Sequence, residues 1–430
     1  MKKGFQVTPQ GQLMQRAYLV GVSVPRTPIG VAREHLEELH QLAKTAGADV
    51  VGSTIQGRTR IDGATFIGQG KAAQIKCECE ELQANLLILD SDLSPAQARN
   101  LEEILNINVI DRTELILDIF AHHAKTEQAK TQVELAQLIY SLPRLRKLWD
   151  HLSRQQGGIG TRGPGESQLE VDRRRVRDRI GRLKKRLKGF ERRSGVVRES
   201  RNGFPTVALV GYTNAGKSTL MNALTRADTF TADQLFATLD TLTRRLDAKT
   251  RTPVLVVDTV GFIRKLPHHL VESFKATLGD IARADLCLHV IDASHPAYTD
   301  QMNVAEETLK EIKGADTRTI AVFNKIDLLD AEILEGMRSR HPDAVFVSAT
   351  RKQGLDELRP RIDESLFGRN LEVEVKIRAI DGKGIAQVKS LLHRPTGSLE
   401  NGYCVFKGWI DTKHMDALER LAGVKVRYLF

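Results

Sequence analysis

The sequence predicts a multi-domain α/β protein: an N-terminal α/β domain, an antiparallel helical hairpin, a second α/β domain with a doubly wound sheet, and a small C-terminal α+β domain. Short apolar strands alternate with helices in two stretches of the chain, and a purely helical stretch lies between them. Such alternation is typical of parallel sheets. At 430 residues the chain is too long for one hydrophobic core. We place the domains at residues 1–125, 126–201, 202–368 and 369–430.

The first stretch contains four predicted strands and three predicted helices. Apolar runs typical of strands occupy residues 17–24, 48–55, 85–90 and 107–112. Helical patterns occupy residues 32–47, 70–82 and 94–105, and the last begins with the start signal Ser94-Pro95. These elements predict a small domain with a largely parallel sheet.

The middle stretch is predicted to form two helices joined by a glycine-rich tip, "QQGGIGTRGPGES". Helical spacing in the first helix is shown by Leu138, Leu142, Leu145, Leu148 and Leu152, and Pro143 is expected to kink it. In the second helix a heptad seam is formed by Leu169, Val176, Ile180, Leu183, Leu187 and Phe190. Ser167 and Glu170 fit a capping box at its start. The two helices should pack as an antiparallel hairpin.

The basic charge of the chain is concentrated in this hairpin. Residues 144–201 carry 19 Lys and Arg against 7 Asp and Glu, a surplus of 12, whereas the whole chain has a net charge of +10. Such a distribution favours an element that faces a polyanion. The four cysteines lack zinc-like spacing, and no signal peptide or membrane-spanning run is present in the sequence. We therefore expect a cytoplasmic protein without membrane insertion.

The last stretch, from residue 370, predicts a compact β-α-β-β-α-β unit. The segment before it begins with a phosphate-binding pattern, in which a strand runs into Gly-x-x-x-x-Gly-Lys-Ser and then a helix. The glycines let backbone N–H groups surround phosphate oxygens, and Lys217 would reach the β- and γ-phosphates. The expected phosphate contacts are Gly211, Tyr212, Thr213, Asn214, Ala215, Gly216, Lys217, Ser218 and Thr219. Residues 202–368 are thus predicted to be a P-loop GTPase domain.

Two further segments of this domain are expected to close on the γ-phosphate and on Mg²⁺. The first comprises Phe236, Ala237, Thr238, Leu239 and Asp240. The second follows an apolar strand and comprises Asp258, Thr259, Val260 and Gly261. Mg²⁺ would be held by Ser218 and Thr238, and by Asp258 through water.

Another pair of segments in this domain predicts specificity for guanine. A carboxylate at Asp327 can accept two hydrogen bonds from the N1–H and the exocyclic amine of guanine, which adenine cannot supply. Asp327 belongs to the run Asn324, Lys325, Ile326, Asp327 after a predicted strand, and a backbone N–H of Ser348, Ala349 or Thr350 could bind the guanine O6. The whole set predicts a GTP or GDP site.

The residue after Gly261 raises a question about hydrolysis. Phe262 stands where many GTPases carry a glutamine that orients the attacking water, and a phenyl ring cannot do so. The expected catalytic residues are Lys217, Thr238, Gly261 and Phe262, the last as a hydrophobic lock that prevents turnover until a partner binds. The alternative is a nucleotide sensor that does not hydrolyse GTP.

The hairpin tip and the start of the second hairpin helix are candidates for RNA contacts. A glycine-rich tip with an arginine suits close approach to RNA, and a flexible connector is the alternative. The predicted contacts are Gly160, Thr161, Arg162, Gly163, Arg173, Arg174 and Arg175. A shorter motif at residues 68–71, "GQGK", could bind an anion, but a turn that starts a helix explains it as well.

Over nearly its full length the chain resembles the HflX family of ribosome-associated P-loop GTPases. The resemblance includes "SPAQARNLE", "VIDRTELILDIFA", "GGIGTRGPGES" followed by "QLEVDRRR", and "GYTNAGKSTLMNALT". It implies a monomeric GTPase that inserts its hairpin into the large (50S) ribosomal subunit, contacts its rRNA and splits stalled or idle ribosomes. It also implies stimulation by the ribosome, a hydrophobic residue at position 262, and ATP binding by the N-terminal domain.

Two other functions are compatible with the sequence. A GTPase of large-subunit assembly would use the same basic hairpin on immature RNA. A non-hydrolysing switch, read out by GTP or GDP occupancy, would explain Phe262 directly.

Overall fold

A computed structural model describes residues 15–25, 27–145, 168–199, 204–225, 236, 242–247, 253–265, 279, 281–313, 318–367, 370–411, 414–421 and 423–429. The predicted hairpin tip, Ser167 and residues 237–240 lie outside these ranges. The chain divides into two compact units. The first comprises Met1–Ser194, Phe230–Thr241 and Thr259–Gly279, and the second comprises Gly195–Thr229, Leu242–Asp258 and Asp280–Phe430.

The first unit contains a four-stranded parallel sheet in the order β2-β1-β3-β4, as the strand–helix alternation predicts. Its strands are β1 Arg16–Ser23, β2 Asp49–Gly57, β3 Leu86–Leu89 and β4 Asn108–Asp111. Three of its helices are α1 Ile29–Thr45, α2 Gln69–Glu81 and α3 Pro95–Leu105. Gly68 is the N-cap of α2, so the short "GQGK" motif does start a helix. Ser94 and Gln97 form the capping box of α3.

A fourth helix of this sheet, α4 Arg112–His123, has no counterpart among the predicted helices. Most of its first nine residues are buried, including Leu115, Leu117 and Phe120. A helix that is buried on several sides lacks the apolar stripe by which amphipathic helices are recognised. The apolar run at residues 115–120 therefore carries no helical period.

The first unit also contains the described part of the hairpin. Helix α5 spans Glu127–Ser141 and ends in a 3₁₀ turn at Leu142–Arg144, where Pro143 lacks the N–H that would continue the helix. Helix α6 spans Gln168–Glu199. Arg179 contacts Glu134 and Arg186 contacts Glu127, so that residue numbers rise along one helix as they fall along the other. The two helices are therefore antiparallel, as predicted, and Leu183 of the seam is buried.

The second unit contains a six-stranded doubly wound sheet in the order β10-β9-β8-β5-β7-β6, in which only the pairing of β6 with β7 is antiparallel. Its strands are β5 Thr206–Gly211, β6 Leu242–Arg245, β7 Leu255–Asp258, β8 Leu286–Asp292, β9 Thr319–Asn324 and β10 Val345–Phe346. Its helices are α7 Lys217–Thr225, α8 Tyr298–Lys313, α9 Ala331–Arg340 and α10 Leu355–Phe367, with a 3₁₀ turn at Ile326–Leu328. The reversal of strand order beside β5 places the candidate site at the carboxyl edge of this sheet.

A second, antiparallel sheet of this unit confirms the predicted β-α-β-β-α-β order. It comprises β11 Asn370–Arg378, α11 Gly382–Leu391, β12 His393–Glu400, β13 Tyr403–Asp411, α12 Met415–Glu419 and β14 Lys425–Tyr428. Among the helices in the described ranges, none is both long enough and apolar enough to cross a membrane.

An ionic cluster lies at the edge of the N-terminal sheet. Arg112, at the start of α4, is 2% exposed and contacts Asp90 at 2.7 Å and Glu38 at 2.6 Å. Lys265 reaches the same Asp90 carboxylate at 2.6 Å, and His35 lies 3.6 Å from it. A buried arginine is tolerated because each charged group has a close counter-charge.

Lowering the pH from 7 to 5 should destabilise the N-terminal sheet through His35. Burial, followed by the charge of Lys265, lowers the pKa of His35 from 6.5 to about 4; Asp90 opposes this shift, whereas Arg264 and Arg112 add to it. Because the unfolded chain takes up the proton near pH 6.5 and the folded chain only near pH 4, stability falls as the pH falls between these values. At 1.36 kcal/mol per pKa unit, we expect a loss of about 1–2 kcal/mol at pH 5. Hydrogen exchange of the β1 and β3 amides would measure it.

The matched variant is His35→Gln, which lacks the titrating group. It should lose less stability than the wild type over the same pH range, because the remaining titrating groups are common to both proteins. An equal loss in both proteins would show that His35 does not cause the acid sensitivity.

Candidate nucleotide site

The phosphate-binding loop follows β5 and depends on two glycines. Gly211 has φ +144°, and a Cβ there would clash with the carbonyl oxygen of Val290 on β8. Gly216 has φ +87°, and a Cβ there would clash with the side-chain amide of Asn324. A side chain at either position would strain the backbone and force the loop apart. The loop then enters α7 at Lys217, which leaves backbone N–H groups at a helix N-terminus for an anion.

Lys217 lies beneath this loop. It is buried, and its Nζ donates to the carbonyl oxygens of Gly211 at 3.1 Å and Tyr212 at 2.7 Å. Burial lowers the pKa of Lys217 from 10.5 to about 8, and the Asp258 carboxylate partly offsets that shift. The buried ammonium group should therefore attract phosphate oxygens strongly.

Ser218 and Asp258, two of the residues expected to hold Mg²⁺, lie side by side. The Ser218 hydroxyl donates to Oδ2 of Asp258, at the end of β7, at 2.6 Å. A hydroxyl and a carboxylate side by side are hard oxygen ligands of the kind that Mg²⁺ prefers. The donor set of these two residues therefore fits the predicted metal.

Asn324 connects the phosphate loop to the loop expected to bind the base. Its side-chain amide is buried at the end of β9, donates to the carbonyl oxygen of Ala215 at 2.9 Å, and accepts from the N–H of Ala349 at 3.0 Å. One amide thus satisfies both neighbours. Asn324 therefore holds these two loops together, in addition to its predicted position close to the nucleotide.

Asp327 is held in position by residues in and next to the other base-binding segment. Its Oδ1 accepts from the Ser348 hydroxyl at 2.6 Å, and Nε of Arg351 lies 3.6 Å from its Oδ2.

Lys325 has a left-handed backbone, with φ 64°, and its ammonium contacts Asp292 at 2.7 Å. The backbone of Ala349 is fixed by Asn324, and Thr350 follows it in the same turn. The two base-binding segments are therefore joined by hydrogen bonds from Ser348 to Asp327 and from Ala349 to Asn324.

Apart from Asp258, the residues expected to close on the γ-phosphate belong to the first compact unit. Of residues 236–240 only Phe236 is described; it is buried, and its ring packs edge-on against Phe120 of α4 at a centroid distance of 4.7 Å. Thr259 and Gly261 are buried, Val260 is half-buried, and Phe262 is 2% exposed. The Phe262 ring is thus part of a packed interior.

The chain just beyond Phe262 contacts the N-terminal ionic cluster. Lys265 donates to the carbonyl oxygen of Asp90 at 2.7 Å as well as to its carboxylate, and Arg112 donates to the carbonyl oxygen of Arg264 at 3.3 Å. Arg264 also pairs with Glu34 of α1 at 3.5 Å. Residues 264–265 are therefore held by residues of α1 and α4 and by Asp90, which directly follows β3, all in the same unit.

Four residues that support the site and the segment after Phe262 were not predicted from the sequence. Asp292 could have been found, because it ends β8 at the same sheet edge as Asn324, and Arg351 directly follows the predicted Ser348–Thr350 segment. The contacts of Asp90 and Arg112 with residues 264–265 had no sequence signal, since more than 150 positions separate the partners.

Three family models match the chain. They are described as GTP-binding GTPase N-terminal, for residues 33–121; GTP-binding GTPase Middle Region, for residues 123–201; and 50S ribosome-binding GTPase, for residues 206–325. Among solved structures, a GTP-binding protein from the hyperthermophilic archaeon Sulfolobus solfataricus in complex with GDP is 26% identical, with a TM-score of 0.42, and covers 82% of this chain and 99% of its own.

Curated relatives that share one name cover most of the chain. The GTPase HflX of Caldanaerobacter subterraneus subsp. tengcongensis is 48% identical over 82% of this chain and 81% of its own length. That of Lacrimispora saccharolytica is 49% identical over 84% and 86%, and that of Escherichia coli K12 is 43% identical over 81% and 83%. Together with the phosphate loop and the hydrogen-bonded guanine segments, these identities show that the chain belongs to the GTPase HflX family and is a GTPase.

Proposed function

We propose that this GTPase binds the large ribosomal subunit through its helical hairpin, that the subunit stimulates GTP hydrolysis, and that binding dissociates or rescues stalled or idle 70S ribosomes. The observation that carries the proposal is Phe262. The side chains expected to bind phosphate and guanine are hydrogen-bonded without a partner, whereas a buried phenyl ring follows Gly261, where many GTPases carry the glutamine that orients the attacking water. A site with this combination binds GTP readily and hydrolyses it slowly until a partner acts.

The large subunit is the partner that the comparisons favour. The family model that matches residues 206–325 is described as a 50S ribosome-binding GTPase. Helix α6 of the antiparallel hairpin has a strongly basic sequence, and cationic helices bind the phosphate backbone of RNA. The predicted contacts of the hairpin tip, at residues 160–163, would add to this interaction.

Within the site, the roles of the side chains follow from their positions. Lys217 stabilises charge on the β- and γ-phosphates, and Asp327 selects guanine. Ser218 and Asp258, with Thr238 of the first closing segment, would hold Mg²⁺, which neutralises phosphate charge when it is bound. The backbone N–H of Gly261 would donate to the γ-phosphate. Phe262 would exclude water until the subunit rearranges its loop.

Phosphate release measured with the full chain, alone and with purified large subunits, tests the proposal. Arginine-finger partners raise small-GTPase rates by about 10⁵-fold, so we expect a stimulation of at least about tenfold. The tip variant Arg162→Ala should weaken that stimulation. Arg99→Ala, which removes an exposed arginine of α3, should not. Light scattering of 70S ribosomes, with GTP and the protein, reports dissociation.

Three outcomes would contradict the proposal. No stimulation by the subunit would favour a non-hydrolysing switch. Preferential binding to precursor particles would favour a role in subunit assembly. Stimulation without a fall in light scattering would show that the protein binds ribosomes without splitting them.

A further inference from the structure

The basic side chains of α6 lie on two sides of its apolar seam. At 3.6 residues per turn, one side carries Arg175, Arg179, Arg182 and Arg186. The other side carries a row with steps of four, four, three and four residues: Arg173, Arg177, Gly181, Lys184 and Lys188. The two sides have the same charge but different surroundings.

Acidic partners are concentrated on the first side. Arg179 makes a two-pronged contact with Glu134, at 2.7 and 3.0 Å, and Arg186 contacts Glu127 at 2.9 Å. Arg175 lies 3.4 Å from Asp172 of the same helix. Within the described residues, the four cations of the row on the other side make no ion pair. The first side therefore connects α6 to α5, whereas no described residue neutralises the charge of the row.

Gly181 has no packing explanation within the described chain. A Cβ built there would meet no atom within 4 Å, although glycine in the middle of a helix costs about 0.5–1 kcal/mol relative to alanine. Gly181 lies between Arg177 and Lys184 in the row. A helix surface without a side chain at that point allows another backbone to approach closely.

The composition of the row favours a phosphodiester backbone over a protein surface. Arg177, Lys184 and Lys188 are exposed, Arg173 is partly exposed, and no apolar side chain belongs to the row. The centre of a protein interface requires apolar side chains, whereas phosphate recognition requires spaced cations. From Arg173 to Lys188 the row extends about 22 Å along the helix. That length suits several successive phosphates.

We propose that Arg173, Arg177, Lys184 and Lys188 form a phosphate-binding row that lies along the backbone of ribosomal RNA, with Gly181 at the point of closest approach. The inference deepens the proposed function, since it names the face of α6 that meets the subunit. Of the three arginines expected from the sequence to bind RNA, only Arg173 belongs to the row. Arg175 faces Asp172, and Arg174 is on the edge of the row.

The test compares two exposed arginines on opposite sides of α6 in the full-length protein. Binding to purified large subunits is measured at several salt concentrations. Arg177→Gln should weaken binding and lower the slope of log K against log salt by about 1, because one phosphate contact is lost. Arg182→Gln removes the same charge from the other side and should leave the slope unchanged.

Gly181→Ala tests the close approach of the RNA backbone without changing the charge of the row. The substitution should stabilise the helix, because alanine favours a helix interior more than glycine does. It should nevertheless weaken binding severalfold at an unchanged salt slope, because the added methyl group keeps the RNA backbone away. A purely structural role for Gly181 would give unaltered or tighter binding.

A second probe separates failure of the row from failure of the proposed function. The same variants are titrated with a short synthetic RNA duplex. If the wild type binds the duplex but not the subunit, the proposed ribosomal partner is wrong, and a lower slope for Arg177→Gln still supports the row. Equal slopes for Arg177→Gln and Arg182→Gln on both probes, or no binding of the wild type to either, would overturn the row.

Discussion

Replacing Lys217 by methionine should reduce the rate of GTP hydrolysis by at least about 10²- to 10³-fold. Methionine has nearly the same length, but it removes the ammonium that lies under the phosphate loop, 2.7 Å from the Tyr212 carbonyl oxygen. Losing one group that stabilises transition-state charge in a water-excluded site costs a factor of this size. Single-turnover phosphate release at saturating GTP, with large subunits present, would measure the change.

The control is Lys310→Met, which removes an exposed lysine of α8 outside the site and should retain the wild-type rate. Circular dichroism of both variants would establish that the sheets remain folded. If Lys217→Met kept more than a tenth of the activity, this lysine would not be the main electrostatic group of the site.

Asp327→Asn should weaken guanine nucleotide binding by about 10²- to 10⁴-fold. The carboxylate can accept both hydrogen bonds of guanine, whereas the amide presents one N–H group against another. Xanthine carries an acceptor in place of the guanine amine, so xanthosine diphosphate should bind the variant better than GDP does. Calorimetric titration with the two diphosphates measures both affinities.

Asp330→Asn is the matched control, because Asp330 lies three residues further on and its side chain makes no capping hydrogen bond to α9. It should bind GDP like the wild type. A variant at Asp327 that lost both nucleotides equally would point to collapse of the Ser348 hydrogen bond and not to base recognition.

The sequence predicted those parts of the fold that depend on local patterns. Strands β1 to β4 were recognised as apolar runs, and the phosphate loop from the spacing of Gly211, Gly216 and Lys217. Strand β12 of the C-terminal sheet was predicted only from the order of its neighbours, because it is largely exposed and contains Pro395 and Gly397. Such composition weakens a strand signal.

Contacts between distant parts of the chain were not predictable in this way. The pairing of Lys265 with Asp90 joins two charged residues among many, and a charge pattern does not specify which pairs meet. The same holds for α6, where Arg179 meets Glu134 but Arg177, two positions earlier, makes no ion pair with any described residue. The helical period gives the side of α6 on which each arginine lies, whereas the register of the two helices decides which acidic residue it meets.

The amide of Asn324 connects the phosphate loop to the loop expected to bind the base, so we expect recognition of the base and retention of the phosphates to be coupled. It joins Ala215, in the loop under the phosphates, to Ala349, beside the expected position of the base, through two hydrogen bonds of about 3 Å. Since the amide is buried, neither bond can be exchanged for water without cost. A poorly fitting base would therefore also weaken binding of the triphosphate. The enzyme would then discriminate against a wrong nucleotide through both the base and the phosphates.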